Sequence, residues 1–313
     1  MKAVVTGAAG FIGSRLCEAL LSVGYEVVGI DNFSDYYSRD EKERHLRRSK
    51  QHANFKFIEV DLLNADLSLI LSGRPSVFHL AGQPGVRGSW GTGFFPYVRN
   101  NIQATQILLE ESKSAEVSRF IYSSSSSVYG EATQQPTPED SITNPISPYG
   151  VTKLAGEHLT SLYGRSWGLP TVSLRYFTVY GGGQRPDMAT ERLIRAAKMG
   201  TTFRVFGDGR QSRDFTHVSD VVSANLRAAT AELTAGEIIN VAGGSHATLM
   251  DVVDAVTSAV GTAPKLEFAD VARGDVRVTR ASTQKAQELL DWKPKMDLVE
   301  GVREQAQSYV HGQ

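Results

Sequence analysis

A single cysteine, Cys17, in 313 residues rules out an internal disulfide framework and reads as a small buried hydrophobe. An excess of charge of one sign is also missing: 33 Lys and Arg stand against 34 Asp and Glu, a formal net charge of −1. Non-specific nucleic-acid binding comes from basic side chains neutralising phosphates, so a near-neutral chain is not built for a polyanion. Any anion it holds is small. No stretch approaches the roughly 18 apolar residues of a membrane span. The opening MKAVVTGAAG has one Lys and too short an apolar run for a secretory signal. These absences predict a soluble, cytoplasmic protein that binds neither nucleic acid nor membrane and calls for no metal.

Core-forming residues are plentiful. With 41% hydrophobic and 21% charged residues, the chain can fill one large α/β unit or two joined lobes. Short β-branched runs read as strands at Lys2–Thr6, Tyr25–Asp31, Phe55–Asp61, Ser76–Ala81, Arg119–Ser123 and Thr171–Tyr176. Between the first two, Ile12, Leu16, Leu20 and Val23 form a helical stripe closed by Gly24. Continuous apolar strands separated by helices imply a parallel sheet covered on both faces, the doubly wound α/β (Rossmann) architecture. The charge run from Asp40 to His52 has no apolar stripe of its own and reads as a solvated helix. After about Tyr176 the alternation becomes irregular. This predicts a parallel-sheet domain over 1–175 and a smaller lobe over 176–313, interleaved so that part of 213–245 returns to the first.

The first chemical motif is TGAAGFIG, in which Gly7, Gly10 and Gly13 follow an apolar strand and open a helix. Backbone N–H groups and the positive helix end can meet a pyrophosphate there, and the absence of side chains permits close approach. A tight turn without ligand would use the same glycines. Asp31 ends the second strand 18 residues after Gly13, where a carboxylate would bond the adenosine ribose. It would repel a 2′-phosphate and no Arg immediately follows it, so NAD is predicted over NADP. Asp61, ending the third strand, reads as an adenine contact or a helix N-cap.

The second motif is YGVTK, which places Tyr149 and Lys153 four residues apart, on one face of a helix. A phenol with a pKa near 10 needs a drop of about three units, or about 4 kcal/mol, to act as a base near neutrality. One cation at about 4 Å supplies roughly that at an effective dielectric of 20. Lys153, together with an oxidised nicotinamide ring, would therefore suffice. A surface Tyr/Lys pair would show the same spacing.

Taken in order, TGAAGFIG, HLAGQPGVR, SSSSSVYG, YGVTK, RYFTVYG, RDFTHVSD and LLDWKP resemble the extended short-chain dehydrogenase/reductase family, and within it the nucleotide-sugar epimerases. The resemblance covers essentially the whole chain. It implies catalytic roles for Ser125, Tyr149 and Lys153. In such enzymes the tyrosine takes the C4 hydroxyl proton beside the serine while hydride passes to NAD. The 4-keto sugar then rotates and is reduced on its other face. Cofactor contacts implied by the resemblance add Phe11, Ile12, Asn32, Leu62, Leu80, Ala81, Asn101, Tyr176 and Phe177. Ser126 and Ser127 occupy the positions where sugar dehydratases and decarboxylases carry an acidic residue, which disfavours elimination chemistry.

For the substrate, the resemblance implies Val205 and Phe206 near uracil, Arg213 on pyrophosphate, Asp275 on the nucleotide ribose, and Arg87 and Ser126 as further contacts. Arg213 would alternatively pair with Asp214. Arg273 stands where the family usually has proline, and its role is open. Thr178 follows Tyr-Phe where glucose/galactose epimerases usually show asparagine. With Arg185 in RPDMA, and with DYY (Asp35 to Tyr37), it is most similar to UDP-glucuronate 4-epimerases. Arg185 would then clamp the C6 carboxylate, a charge-assisted contact of roughly 1.5–3 kcal/mol. The bland alternative is that Arg185 braces its loop against Asp187. UDP-glucose 4-epimerase and UDP-glucuronate decarboxylase are the alternative activities. A homodimer is implied through helices near Ile102–Ser112 and Val151–Leu162, where Leu154, His158 and Leu162 could also face the core.

Overall fold

A computed structural model describes residues 1–271 and 274–310; Arg273 lies outside them. Six of the strands are β1 (Lys2–Thr6), β2 (Glu26–Asp31), β3 (Phe55–Glu59), β4 (Ser76–His79), β5 (Arg119–Ser125) and β6 (Thr171–Tyr176). They form a seven-stranded sheet in the order β3-β2-β1-β4-β5-β6, completed at the β6 edge by Glu237–Val241. Every pairing is parallel. The sheet is therefore the doubly wound one that the apolar strands predict, and strand order reverses between β1 and β4. Ligands of such sheets sit beyond the carboxyl ends at that reversal.

β5 runs two residues further than the predicted Arg119–Ser123. Ser123, Ser124 and Ser125 pair with Leu174, Arg175 and Tyr176 of β6, because the ladder uses backbone groups whatever the side chain. The stripe of the first helix, Phe11–Ser22, also differs from the reading: Leu16, Cys17, Leu20 and Leu21 are buried, whereas Val23 is 55% exposed at the helix end. Cys17 is fully buried.

The charge-rich helix Arg39–Lys50 is not wholly solvated. Lys42, Leu46 and Ser49 are buried, and their spacing of four and three places them on one helical face. A second core gathers Leu193, Ile194, Val252, Val256 and Val302 from the helices Ala189–Met199, Leu249–Val260 and Leu298–Val310. Two small sheets accompany it, Val179–Tyr180 with Ser212–His217 and Ser245–Thr248, and Thr202–Phe206 with Lys265–Ala269. Among the described residues no helix is long and apolar enough to cross a membrane.

Candidate active site

The glycine loop closes the gap at the sheet's reversal. Gly7 has φ +69°, and a Cβ there would lie 2.8 Å from the backbone nitrogen of Ala81, just beyond β4. A Cβ on Gly13 would lie 2.1 Å from the carbonyl oxygen of Gly7, so only glycine lets the helix pack this close to the turn. The helix Phe11–Ser22 has no side-chain cap and no acidic residue in its first turn. Its leading N–H groups are left for an anion.

One long cleft runs from this loop to the end of β5, with about 1260 Å³ of atom-free space opening to solvent. Gly7, Gly10, Phe11, Ile12, Gly13, Asp31, Asn32, Asp61, Leu62, Leu80, Ala81, Asn101, Tyr149, Lys153 and Tyr176 all line it, as does Arg185. Phe177 does not: it is 1% exposed and packs with Val128, Tyr129 and Ala242. The direction of a side chain just past a strand end depends on packing that spacing does not reveal.

At the adenosine end, Asp31 accepts from the amide of Ala9 at 3.0 Å and from that of Phe33 at 2.9 Å. Burial pushes its carboxyl up; these two amides and the charge of Lys42 draw it back. Asp61 takes bonds from Leu63 N at 3.0 Å, Asn32 Nδ2 at 3.0 Å and Arg99 Nη2 at 2.9 Å. Burial opposes its ionisation, but these partners hold it below the usual carboxylate range. The donor set fits a dinucleotide: bare N–H groups for pyrophosphate and a fixed carboxylate for ribose. Lys42, missed because it sits in a charge run, also lines the cleft, with its Nζ donating to Ser34 O at 2.5 Å.

At the other end, the helix Pro148–Trp167 carries Tyr149 and Lys153. Ser147 caps it by accepting from Gly150 N at 3.1 Å, with Pro148 in the first turn. Gly156 lets it press on β5, since a Cβ there would lie 2.2 Å from the Tyr122 hydroxyl. Asn101 ties the same helix to the loop after β4, donating to Thr152 Oγ1 at 3.0 Å and to Gln83 O at 3.0 Å while accepting from Gln83 N. Tyr97, also missed, sets its ring edge-on to Tyr149 with centroids 6.2 Å apart.

The electrostatics differ from expectation in one respect. Burial pushes the Tyr149 phenol above its ordinary value, and the groups that draw it down are the Ser125 hydroxyl, hydrogen-bonded to it, and the Arg185 guanidinium. Lys153, the cation that the YGVTK spacing offers, is subject to the same burial. Lys153 is itself buried and pulled down to about 7, with Glu157 opposing the shift, and its Nζ lies 4.5 Å from the Tyr122 ring centroid.

The serine run now divides. Ser123 meets Tyr176 Oη at 3.1 Å, Ser124 donates to Glu157 at 2.7 Å, and Ser125 accepts from Ser127 N at 3.2 Å while meeting Tyr149. Ser126 begins a short 3₁₀ turn, Ser126–Val128.

Arg87, Phe206, Arg213 and Asp275, far apart in sequence, come together beyond this end. Arg87 pairs with Asp275 at 2.7 Å and stacks 4.1 Å from the Phe206 centroid. Arg213 feels the charges of Asp275 and Arg87 and donates to the carbonyls of Ser212 and Arg277 at 2.9 and 3.2 Å. It is not paired with Asp214, whose oxygens accept from Gly244 N and Ala281 N at 2.9 and 3.2 Å. Val205 is fully buried in the second core, and Thr178 gives its carbonyl to Thr216 N. Arg185 forms a two-pronged bond to Asp187, at 3.0 and 3.1 Å, as well as lining the cleft.

The glycine loop, the carboxylate at the end of β2, Tyr149 and Lys153 share one cleft, and Ser125 is hydrogen-bonded to Tyr149. The NAD dependent epimerase/dehydratase family matches residues 3–242. The chain belongs to that family. It is 44% identical over 303 residues to a Bacillus subtilis protein named as an uncharacterized UDP-glucose epimerase, YtcB, covering 96% of each chain. It is 37% identical to a UDP-glucuronate 4-epimerase of Thermodesulfobacterium geofontis, over 96% of this chain and 93% of that one. Among solved structures, UDP-glucuronic acid 4-epimerase from Bacillus cereus, in complex with UDP-glucuronic acid and NAD, superposes with a TM-score of 0.96 at 42% identity, covering 99% of each chain.

Proposed function

We propose that this epimerase-family chain is a UDP-glucuronate 4-epimerase using NAD, interconverting UDP-glucuronate and UDP-galacturonate through a 4-keto sugar. The observation that carries the reading is Arg185: a guanidinium in the same cleft as Tyr149 and close enough to lower its phenol. A neutral hydroxymethyl group offers such a cation a single uncharged acceptor oxygen, whereas a C6 carboxylate matches both its charge and its planar fork. The Bacillus cereus likeness supports the same substrate.

NAD, when bound, supplies the hydride acceptor and donor and, oxidised, a further positive charge beside the phenol. Gly7, Gly10 and Gly13 would hold its pyrophosphate and Asp31 its adenosine ribose. Tyr149 takes the C4 hydroxyl proton and returns it, and Ser125 holds both oxygens in line. Lys153 would hold the nicotinamide ribose. Arg87, Arg213, Phe206 and Asp275 would grip the nucleoside diphosphate. Ser126 and Ser127 carry no proton-relaying carboxylate, which argues against decarboxylation.

Two observations favour a second reading, UDP-glucose 4-epimerase: Arg185 already has a carboxylate partner in Asp187, and the Bacillus subtilis relative is named as an uncharacterized UDP-glucose epimerase. Incubation with each UDP-sugar and NAD decides. UDP-galacturonate forming faster from UDP-glucuronate than UDP-galactose from UDP-glucose supports the first reading; the reverse order supports the second, and UDP-xylose as product would overturn both.

The two lobes are assigned as 1–175 for the dinucleotide and 176–313 for the sugar nucleotide, with the Glu237–Val241 strand returning to the main sheet. Pairing into a homodimer is supported by the outer face of Pro148–Trp167, where Val151 and Leu162 are 48% and 49% exposed. Leu154 instead leans on the Tyr129 and Phe177 cluster.

A further inference from the structure

Arg185 is held by a carboxylate of its own chain. Its Nε and Nη2 donate to the two oxygens of Asp187 at 3.0 and 3.1 Å. The Tyr36 hydroxyl donates to Asp187 at 3.2 Å and also meets Arg185, so three side chains from two loops form a closed triangle at the cleft wall. Met188 N bonds Arg185 O at 3.1 Å, a tight turn that keeps the pair together by chain connectivity alone. The pair is lopsided: the side chain of Arg185 is 19% exposed and that of Asp187 is 42% exposed.

A guanidinium with its better fork filled cannot take a second carboxylate in the same geometry. A substrate acid reaching Arg185 must displace Asp187 or approach by the remaining edge, against the repulsion of a like charge. A neutral sugar meets no such competition: Arg185 stays paired with Asp187, and no unpaired charge is left in a buried site. Asp187 therefore acts in opposite directions on the two substrate classes.

We propose that Asp187 is a specificity-determining residue, an internal counter-ion to Arg185 that narrows the preference for acid over neutral UDP-sugars. The inference rests on the reading of Arg185 as the carboxylate site. It makes the acid sugar replace an existing ion pair and lets the neutral sugar be tolerated.

The test measures KM and kcat for UDP-glucuronate and UDP-glucose with wild type, Asp187→Asn, Arg185→Ala and the double variant. Asp187→Asn keeps the size of the side chain and removes its charge. KM for UDP-glucuronate is expected to fall about tenfold with kcat little changed, and KM for UDP-glucose to hold or rise. In the Arg185→Ala background the same change should leave the UDP-glucose values in place and give UDP-glucuronate a clearly smaller fall in KM, the relief of like-charge repulsion alone. A rise in KM for the acid sugar, or equal shifts for both sugars, overturns the proposal, since Asp187 would then only brace the loop. Should Asp187→Asn fold poorly, Asp187→Ser gives the same comparison. If Arg185→Ala alone weakens both sugars equally, the carboxylate assignment falls first and this inference with it, a pattern distinct from failure at Asp187.

Discussion

Gly150 rests against Ser127: a Cβ on Gly150 would lie 2.6 Å from the Ser127 carbonyl oxygen. The first turn of the Tyr149 helix thus touches the turn that follows the β5 serines, and this contact sets the distance from Ser125 to Tyr149. Gly150→Ala must push the helix away by a good fraction of an ångström. Displacements on the order of 1 Å cost about 10²-fold in rate. The expected result is a kcat lowered by about that factor with NAD affinity and far-UV circular dichroism unchanged. Full activity in Gly150→Ala would mean that the Ser125–Tyr149 geometry is not set here.

Behind the active site, Glu157 and Arg175 form a buried ion pair with contacts of 2.6 and 2.9 Å, their side chains 1% and 3% exposed. Glu157 also accepts from Ser124 at 2.7 Å, and Arg175 donates to Glu139 O at 2.9 Å. Breaking one partner leaves an unpaired buried charge, which costs about 3–5 kcal/mol. Glu157→Gln is expected to lose stability of that order in urea unfolding, and Glu157→Leu/Arg175→Met to recover most of it. A single variant as stable as wild type would show that water reaches the pair.

What was legible in the sequence was local. Gly7, Gly10, Gly13 and Asp31 belong to one strand–turn–helix–strand unit, and Tyr149 and Lys153 to one helix face; both sets line the cleft. What was not legible depends on burial set by distant segments. Lys42 is hidden in a run of charges because its burial comes from the loop at Ser34 and from Tyr37, whose ring centroid lies 4.9 Å from its Nζ. Phe177 turns its side chain into the cluster with Val128, Tyr129 and Ala242, and no spacing rule gives the direction of a side chain just past a strand end. The downward shift of Lys153 follows from burial that outweighs the pull of Glu157, which a YxxxK match does not describe.

That charge state has a consequence for stability. Lys153 falls from an ordinary value near 10.5 to about 7, through burial, with Glu157 opposing and the His79 ring nearby. Between these values the unfolded chain holds the proton and the folded chain does not, so this group's contribution to stability rises with pH from about 7 towards 10.5. Below pH 7 the fold carries a buried charge. Lys153→Met is therefore expected to melt higher than wild type at pH 6, without NAD and without turnover, with the difference shrinking by pH 10. A variant that melts lower at every pH would show that the ammonium is stabilised where it stands.

The same field argument applies to the base. Arg185 is the cation that draws the Tyr149 phenol down against burial. In the proposed mechanism activity needs the phenolate, so kcat/KM is expected to rise with pH through the phenol's apparent pKa. Removing a positive charge raises that pKa. With UDP-glucose, which makes no demand on a carboxylate site, Arg185→Ala should move the rising limb of the pH profile to higher pH while Arg185→Lys keeps most of it in place. A limb that stays put in Arg185→Ala would assign the lowering of the phenol to Ser125 and the cofactor alone, and Arg185 would be left with a binding role only.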